Sequence, residues 1–264
     1  MRNSVKWVGF DMDECVGVTH YLYPFAHEFL KRDTSKFMHT SLTALAKSEM
    51  RRHTGYIRPA LFPVLEEVYK QWKSGQIAGA FMYSNNSSHA LVDMIRQLLN
   101  TIIGLQQSLP HPPSVLQMAV SGQTPERPSS FVKDWAGVVA CLKSNGLTPP
   151  TSKNDLLFYD DMPHVLERQI SHYCRVPKYT YLTPQKIFIE LITPLVPPDL
   201  TSRWSSVKHE LTSLDDSTSS DIPTSDKGII PMVQAIRAFG SVHAHQTRKH
   251  PRKQRGTRKI RRHG

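Results

Sequence analysis

The feature that most constrains this chain is a short apolar run, Trp7-Val8-Gly9-Phe10, that ends directly on Asp11-Met12-Asp13-Glu14-Cys15-Val16. A brief, wholly apolar run of this kind reads as a strand buried on both faces, the type found in parallel sheets. Both aspartates then leave the carboxyl end of that strand, where open α/β sheets form their ligand crevices. Two acids so close together repel each other and are costly to hold away from water. A divalent cation relieves that cost, and Mg²⁺ usually takes one or two carboxylates together with a substrate phosphate. The bland alternative is an ordinary strand-end turn, because aspartate is common in turns. A second acidic pair, Asp160-Asp161, at the end of another apolar run weighs against it.

The alternation of strand and helix patterns sets the expected fold. Strands are predicted near 5–11, 78–83, 115–120, 155–159 and 178–182. Arg58-Pro59 opens a helix with Leu61, Leu65, Val68 and Trp72 at three- and four-residue steps, stopped by Gly75. Ser88 caps the next, with Leu91, Met94, Ile95 and Leu98 on one face. Phe131 to Leu142 forms a third, Pro163 starts a short fourth, and Thr183-Pro184 leads a last one through Ile192. This order predicts an α/β fold, a parallel sheet covered by helices on both faces.

One such domain is expected over 1–198. Within it, 18–57 reads as an insertion or cap over the mouth of the sheet, with a helix from Ser41 to Arg52 and aromatics such as Tyr21, Phe25 and Phe37 packing inside it. Residues 199–227 are rich in Ser, Thr and Asp and read as a linker. A short helix is expected within 228–240, and 241–264 reads as a disordered basic tail.

Charge is concentrated in that tail. Nine basic residues lie between Arg248 and Arg262 with no acid among them, and subtracting them from the net charge of +11 leaves +2 for the rest of the chain. The tail suits nuclear targeting or contact with nucleic acid, and the domain itself does not. No run approaches the length of a membrane span. The first residues lack a secretory leader, and Cys15, Cys141 and Cys174 form no CxxC pair. A reducing, intracellular compartment is therefore expected, without disulfides or a zinc site. His20, His27, His89 and His164 have no ligand spacing.

Chemistry-bearing residues fall at the expected element ends. They are Asp11 and Asp13 after the first strand, Ser84 followed by Asn85-Asn86 after the second, Lys133 early in a helix, and Asp160-Asp161 after the fourth strand. Lys143 and Lys153 are rivals for the role of Lys133. Carboxylates, a hydroxyl and an ammonium group make up the inventory for moving a phosphoryl group. In this order the motifs resemble the haloacid dehalogenase superfamily of phosphatases. Asp11-Met12-Asp13-Glu14, Arg58-Pro59, Val132-Lys133-Asp134 and Asp160-Asp161-Met162-Pro163 are most similar to its small phosphatases of the RNA polymerase II C-terminal-domain type. The resemblance spans roughly residues 5–195.

The resemblance implies a Rossmann-like domain and a Mg²⁺-dependent phosphatase that works through an aspartyl-phosphate. Asp11 would be the nucleophile and Asp13 the general acid and base. Asp11, the Asp13 backbone carbonyl and Asp161 or Asp160 would hold Mg²⁺, and Ser84, Asn85 and Lys133 would bind the phosphate. A phosphoserine protein is the implied substrate. A nucleic-acid end phosphatase, or a non-catalytic module docking on nucleic acid through the tail, are the alternatives. The tail would equally suit a protein packaged with viral nucleic acid. Cys15 stands where the family usually has Thr, Ser or Val. Beside two acids it is expected to be structural rather than nucleophilic.

Overall fold

The computed structural model describes residues 4–30, 32–52, 55–127, 132–179, 185–213, 226 and 229–241. Five strands, β1 (Trp7–Phe10), β2 (Gly79–Tyr83), β3 (Leu116–Val120), β4 (Leu156–Asp160) and β5 (His172–Arg175), form one sheet. The order is β3-β2-β1-β4-β5 and every neighbouring pair is parallel. The helices are α1 (Tyr23–Phe29), α2 (Ser35–Arg52), α3 (Leu61–Lys73), α4 (His89–Gln106), α5 (Trp135–Ser144), α6 (Val165–Gln169), α7 (Gln185–Ile192), α8 (Thr201–Ser213) and α9 (Ile229–Ser241). The architecture is α/β, with a parallel sheet flanked by helices in the Rossmann-like manner. No described helix is long and apolar enough to cross a membrane.

Strand β1 is central, which is why its four residues are all buried and show no polar alternation. Val8, Phe10, Ala80, Met82, Leu157 and Tyr159 face a core built with α3, α4 and α9. Trp7, Phe81, Tyr83, Leu156 and Phe158 face a second core with Val138, Cys141 and Leu142 of α5 and Leu166 of α6. Gly9 is opposite Phe81 on one side and Phe158 on the other. The two rings meet across it with centroids 6.3 Å apart. A β-carbon on Gly9 would overlap the Phe158 ring, so the glycine marks a close approach.

Four sequence expectations are corrected. The fifth strand lies at His172–Arg175, upstream of 178–182. It is a half-buried edge strand with no apolar run to announce it. Residues 178 and 179 are irregular, and 180–182 lie outside the described residues. Second, α5 begins at Trp135, so Lys133 precedes the helix. Asp134 is the cap, its Oδ1 accepting the Gly137 N–H at 2.7 Å.

Third, the insertion meets the mouth of the sheet through its first residues, Thr19 Oγ1 donating to Asp13 Oδ1 at 3.3 Å, while α1 and α2 pack against α4, with further contacts to α8 and α7 respectively. Their apolar residues Phe25, Phe29, Phe37, Leu42 and Leu45 all join the main core, and that burial decides the placement. Fourth, 201–213 is not linker. Trp204, Val207 and Leu211 recur along one face of α8 and are buried, and Trp204 meets Phe25 edge-on at 6.3 Å. A helix with only three large apolar residues reads as polar by composition although its period is helical. Asp199 and Leu200 form a short turn that leads into α8, and residues 214–225 and 227 of the expected linker, with 242–264 of the basic tail, lie outside the described residues.

The short helix expected near 228–240 is α9, and it is bound into the fold. Tyr159 Oη donates to the Met232 carbonyl at 2.8 Å, Gln71 Nε2 to Ile236 at 2.9 Å, and Lys6 Nζ to Phe239 at 2.7 Å. Asp226 is buried against Arg58, which is 1% exposed. Arg58 Nε and Nη2 donate to Asp226 Oδ2 and Oδ1 at 3.0 and 2.7 Å, and the Ala60 N–H donates to Oδ2 at 2.9 Å. Removing one partner of a buried pair strands the other charge. Asp226→Ala is expected to lower unfolding free energy by about 3–5 kcal/mol in urea denaturation. An unchanged midpoint and slope would show that Arg58 is not sealed from water by this segment.

Candidate functional site

Strand order reverses direction between β1 and β4, and that switch point opens the crevice of such sheets. Phe10 is registered with Tyr159. The Asp11 N–H donates to the Tyr159 carbonyl at 2.9 Å, so Asp11 continues the pairing and stands beside Asp160. Beyond Asp11 the chain closes a tight loop. The Glu14 N–H donates to Gly17 O at 2.8 Å and the Val16 N–H to Met12 O at 2.9 Å. Glu14 takes a left-handed conformation, φ 61°, and is held there by the Tyr179 N–H on its carbonyl at 2.8 Å. Arg58 braces the far side, with its N–H on Val16 O at 2.9 Å and Nη1 on Cys15 O at 3.1 Å.

Lys133 reaches this crevice from the segment capping α5. Its carbonyl accepts the Leu166 N–H at 2.9 Å, which fixes the backbone. Its ammonium lies 2.6 Å from Asp11 Oδ1 and 2.8 Å from Asp160 Oδ2. Lys133 is 1% exposed and Asp160 fully buried. The other Asp160 oxygen accepts the Met162 N–H at 3.0 Å. Asp161 is half-buried, and Asp11, Asp160 and Asp161 each offer an oxygen within 4.8 Å of the others. A donor set of carboxylate oxygens alone fits a hard cation such as Mg²⁺. Lys143, the rival, lies in the last turn of α5, and Lys153 in a short turn before β4.

The remaining expected residues are near one another but not all turned to the same task. The Asp13 carboxylate is outside the three-acid group. It accepts from Thr19 Oγ1 at 3.3 Å and from Asn86 Nδ2 at 3.2 Å. Ser84 is 1% exposed, and its Oγ accepts the Asn86 N–H at 3.0 Å. The Asn85 side-chain oxygen accepts from Arg127 Nη2 at 2.6 Å. Asn86, not Asn85, therefore faces Asp13. Thr19, Asn86 and Arg127 were not singled out from the sequence. Only the Ser-Asn-Asn run after β2 offered a signal, and it did not say which amide turns inward.

Burial dominates the protonation of the site. It pushes the Asp11 carboxyl up to about 7, against the pull of Lys133 and with the push of Asp160. Asp13 is raised by burial, opposed by the Asn86 hydrogen bond. Asp161 is raised by burial and then by Asp160. Burial alone would lower Lys133, yet Asp11 and Asp160 outweigh it and hold the ammonium above its ordinary value. Four carboxylates thus converge with one ammonium, a charge balance that a bound cation improves.

No protein-family model matches the chain, and comparison with curated proteins and with solved structures returns no match.

Cys15 is fully buried in the loop between the acids and Arg58. Burial, then Asp11 and Asp160, raise its thiol well above the ordinary range. Burial also raises Cys141, to about 11. A thiol reagent at pH 8 is expected to leave both unmodified in the native protein and to label all three cysteines in denaturant. Rapid native labelling of Cys15 would contradict its structural role.

Proposed function

We propose that this chain is a Mg²⁺-dependent phosphomonoesterase of the haloacid dehalogenase type that acts through an aspartyl-phosphate. The observation that carries the reading is Lys133 shared between Asp11 and Asp160, with Asp161 in range of both acids. An ammonium and clustered carboxylates at a sheet switch point suit a phosphoryl group better than a neutral substrate. Asp11 and Asp161 would hold the cation, since both Asp160 oxygens already have partners. When bound, the cation supplies positive charge to the phosphoryl oxygens.

The chain's own residues then divide the work. An Asp11 oxygen attacks phosphorus and forms the acyl-phosphate bond while the ester P–O bond breaks. Asp13, held by Thr19 and Asn86, gives its proton to the departing oxygen. Asp13 next takes a proton from water as the water oxygen attacks phosphorus, which frees inorganic phosphate and restores Asp11. Lys133 and the Ser84 hydroxyl hold the non-bridging oxygens in line.

The substrate we favour is a phosphoserine segment of a nuclear protein, from the resemblance of the four motifs. The nine basic residues of 248–262 favour a second reading, a phosphatase of nucleic-acid ends. Turnover of a phosphoserine peptide against a phosphorylated oligonucleotide, each with and without 248–262, separates the two. Asp11→Asn is expected to abolish Mg²⁺-dependent hydrolysis of an aryl phosphate with the fold intact, and Asp13→Asn to lower kcat about 10²–10⁴-fold. A wild-type protein with no Mg²⁺-dependent turnover on any phosphate ester would leave a binding module as the better reading.

A further inference from the structure

We propose that Arg127 is the positioning residue of the phosphate side of this site, tying the Ser84-Asn85 turn to the Lys133 segment and adding a second fixed positive charge there. The inference rests on the phosphatase reading above. Arg127 lies in the connection after β3 and is 7% exposed. Its Nη1 donates to the Ser84 carbonyl. Its Nη2 donates to Asn85 Oδ1 at 2.6 Å and to the Val132 carbonyl at 3.3 Å. The guanidinium carbon sits 4.6 Å from the centroid of the Tyr83 ring. Ser84 follows Tyr83 directly, and Val132 directly precedes Lys133. One planar fork therefore grips the backbone on both sides of the place a phosphate would occupy. Lysine cannot reproduce that grip, because its single ammonium has no fixed fork.

Charge gives the second reason. Among the described residues every hydrogen-bond acceptor that Arg127 meets is neutral and no carboxylate pairs with it. Its Nε is buried with no hydrogen-bond partner. A buried cation without a counter-ion is costly. If the side chain served only to clip three oxygens, a neutral amide or hydroxyl network would do so without that cost. With the cation bound and Asp13 protonated as the general acid, Asp11, Asp160 and Asp161 stand against Lys133 and two metal charges, so the site is close to neutral for an incoming phosphate dianion. A guanidinium on the Ser84 side adds net positive charge there, and the phosphate supplies a counter-charge to Arg127.

The test uses the full chain with Mg²⁺, in wild-type, Arg127→Lys and Arg127→Gln forms. It reads aryl-phosphate kinetics, inorganic phosphate binding by calorimetry, and thermal unfolding. Arg127→Lys is expected to fold and to lose about 10- to 100-fold in kcat from misplacement of Ser84 and Lys133, with a smaller change in phosphate affinity. Arg127→Gln is expected to lose at least as much turnover and to bind inorganic phosphate about tenfold more weakly. A purely structural role would lower the melting temperature of both while leaving kcat and phosphate affinity of the folded protein unchanged, and that result overturns the proposal. A folded lysine variant with wild-type kcat also overturns it. Should neither variant fold, Tyr83→Leu removes only the ring beside the guanidinium, and unchanged kcat and phosphate affinity there would overturn it equally. A wild-type chain that neither turns over aryl phosphate nor binds inorganic phosphate ends the phosphatase reading and this inference together. Wild-type activity with indifferent variants ends only the role of Arg127.

Discussion

One ammonium group holds the site together. Lys133 reaches Asp11 from the end of β1 and Asp160 from the end of β4, joining residues from three distant parts of the chain. Without it, two buried carboxylates would stand side by side at the switch point, and one would have to take up a proton. With it, burial still pushes Asp11 up to about 7, against the pull of Lys133 and with the push of Asp160. Clustered acids held away from water beside one ammonium are the physical reason to expect a cation and an anionic, metal-seeking substrate in the crevice.

The rest of the fold serves to keep that ammonium and those acids in register. Parallel pairing of β1 with β4 puts Asp11 abreast of Asp160. Gly9 lets Phe81 and Phe158 meet across the central strand beneath the site. On the opposite face, α9 hydrogen-bonds to Tyr159 and Lys6. The Arg58–Asp226 pair then braces the loop that carries Asp11 and Asp13. A segment distant in sequence thus supports the first strand's loop through one buried ion pair, so stability and the geometry of the acids are linked.

Much of this was legible in the sequence, for identifiable reasons. Buried central strands announce themselves as continuous apolar runs, so β1, β2 and β4 were found close to their true bounds, and edge strand β3 was found by its buried Leu116, Met118 and Val120. Strand-end acids and Lys133 were visible because they recur in one order at the ends of predicted elements, although each alone is ordinary in a turn or on a helix. Edge strand β5 was misplaced, because a half-exposed His-Tyr-Cys-Arg run has no apolar signature. Helix α8 was hidden by its serines, although Trp204, Val207 and Leu211 kept helical spacing. Side-chain direction was not readable at all. Nothing in Ser84-Asn85-Asn86 says that Asn86 turns to Asp13 while Asn85 turns to Arg127. Arg127 and Asp226 acquire meaning only through partners brought close by the tertiary fold.

The central claim is that Asp11 and Asp161, with Asp160 held by Lys133, form a single cation site. Titrating Mn²⁺ as a spectroscopic substitute for Mg²⁺ into the full chain, and into Asp161→Asn, measures that most directly. The account predicts one site per chain in the unaltered protein, displaced by Mg²⁺ and markedly weakened in the variant. Absence of saturable binding, or a site indifferent to Asp161→Asn, would contradict it.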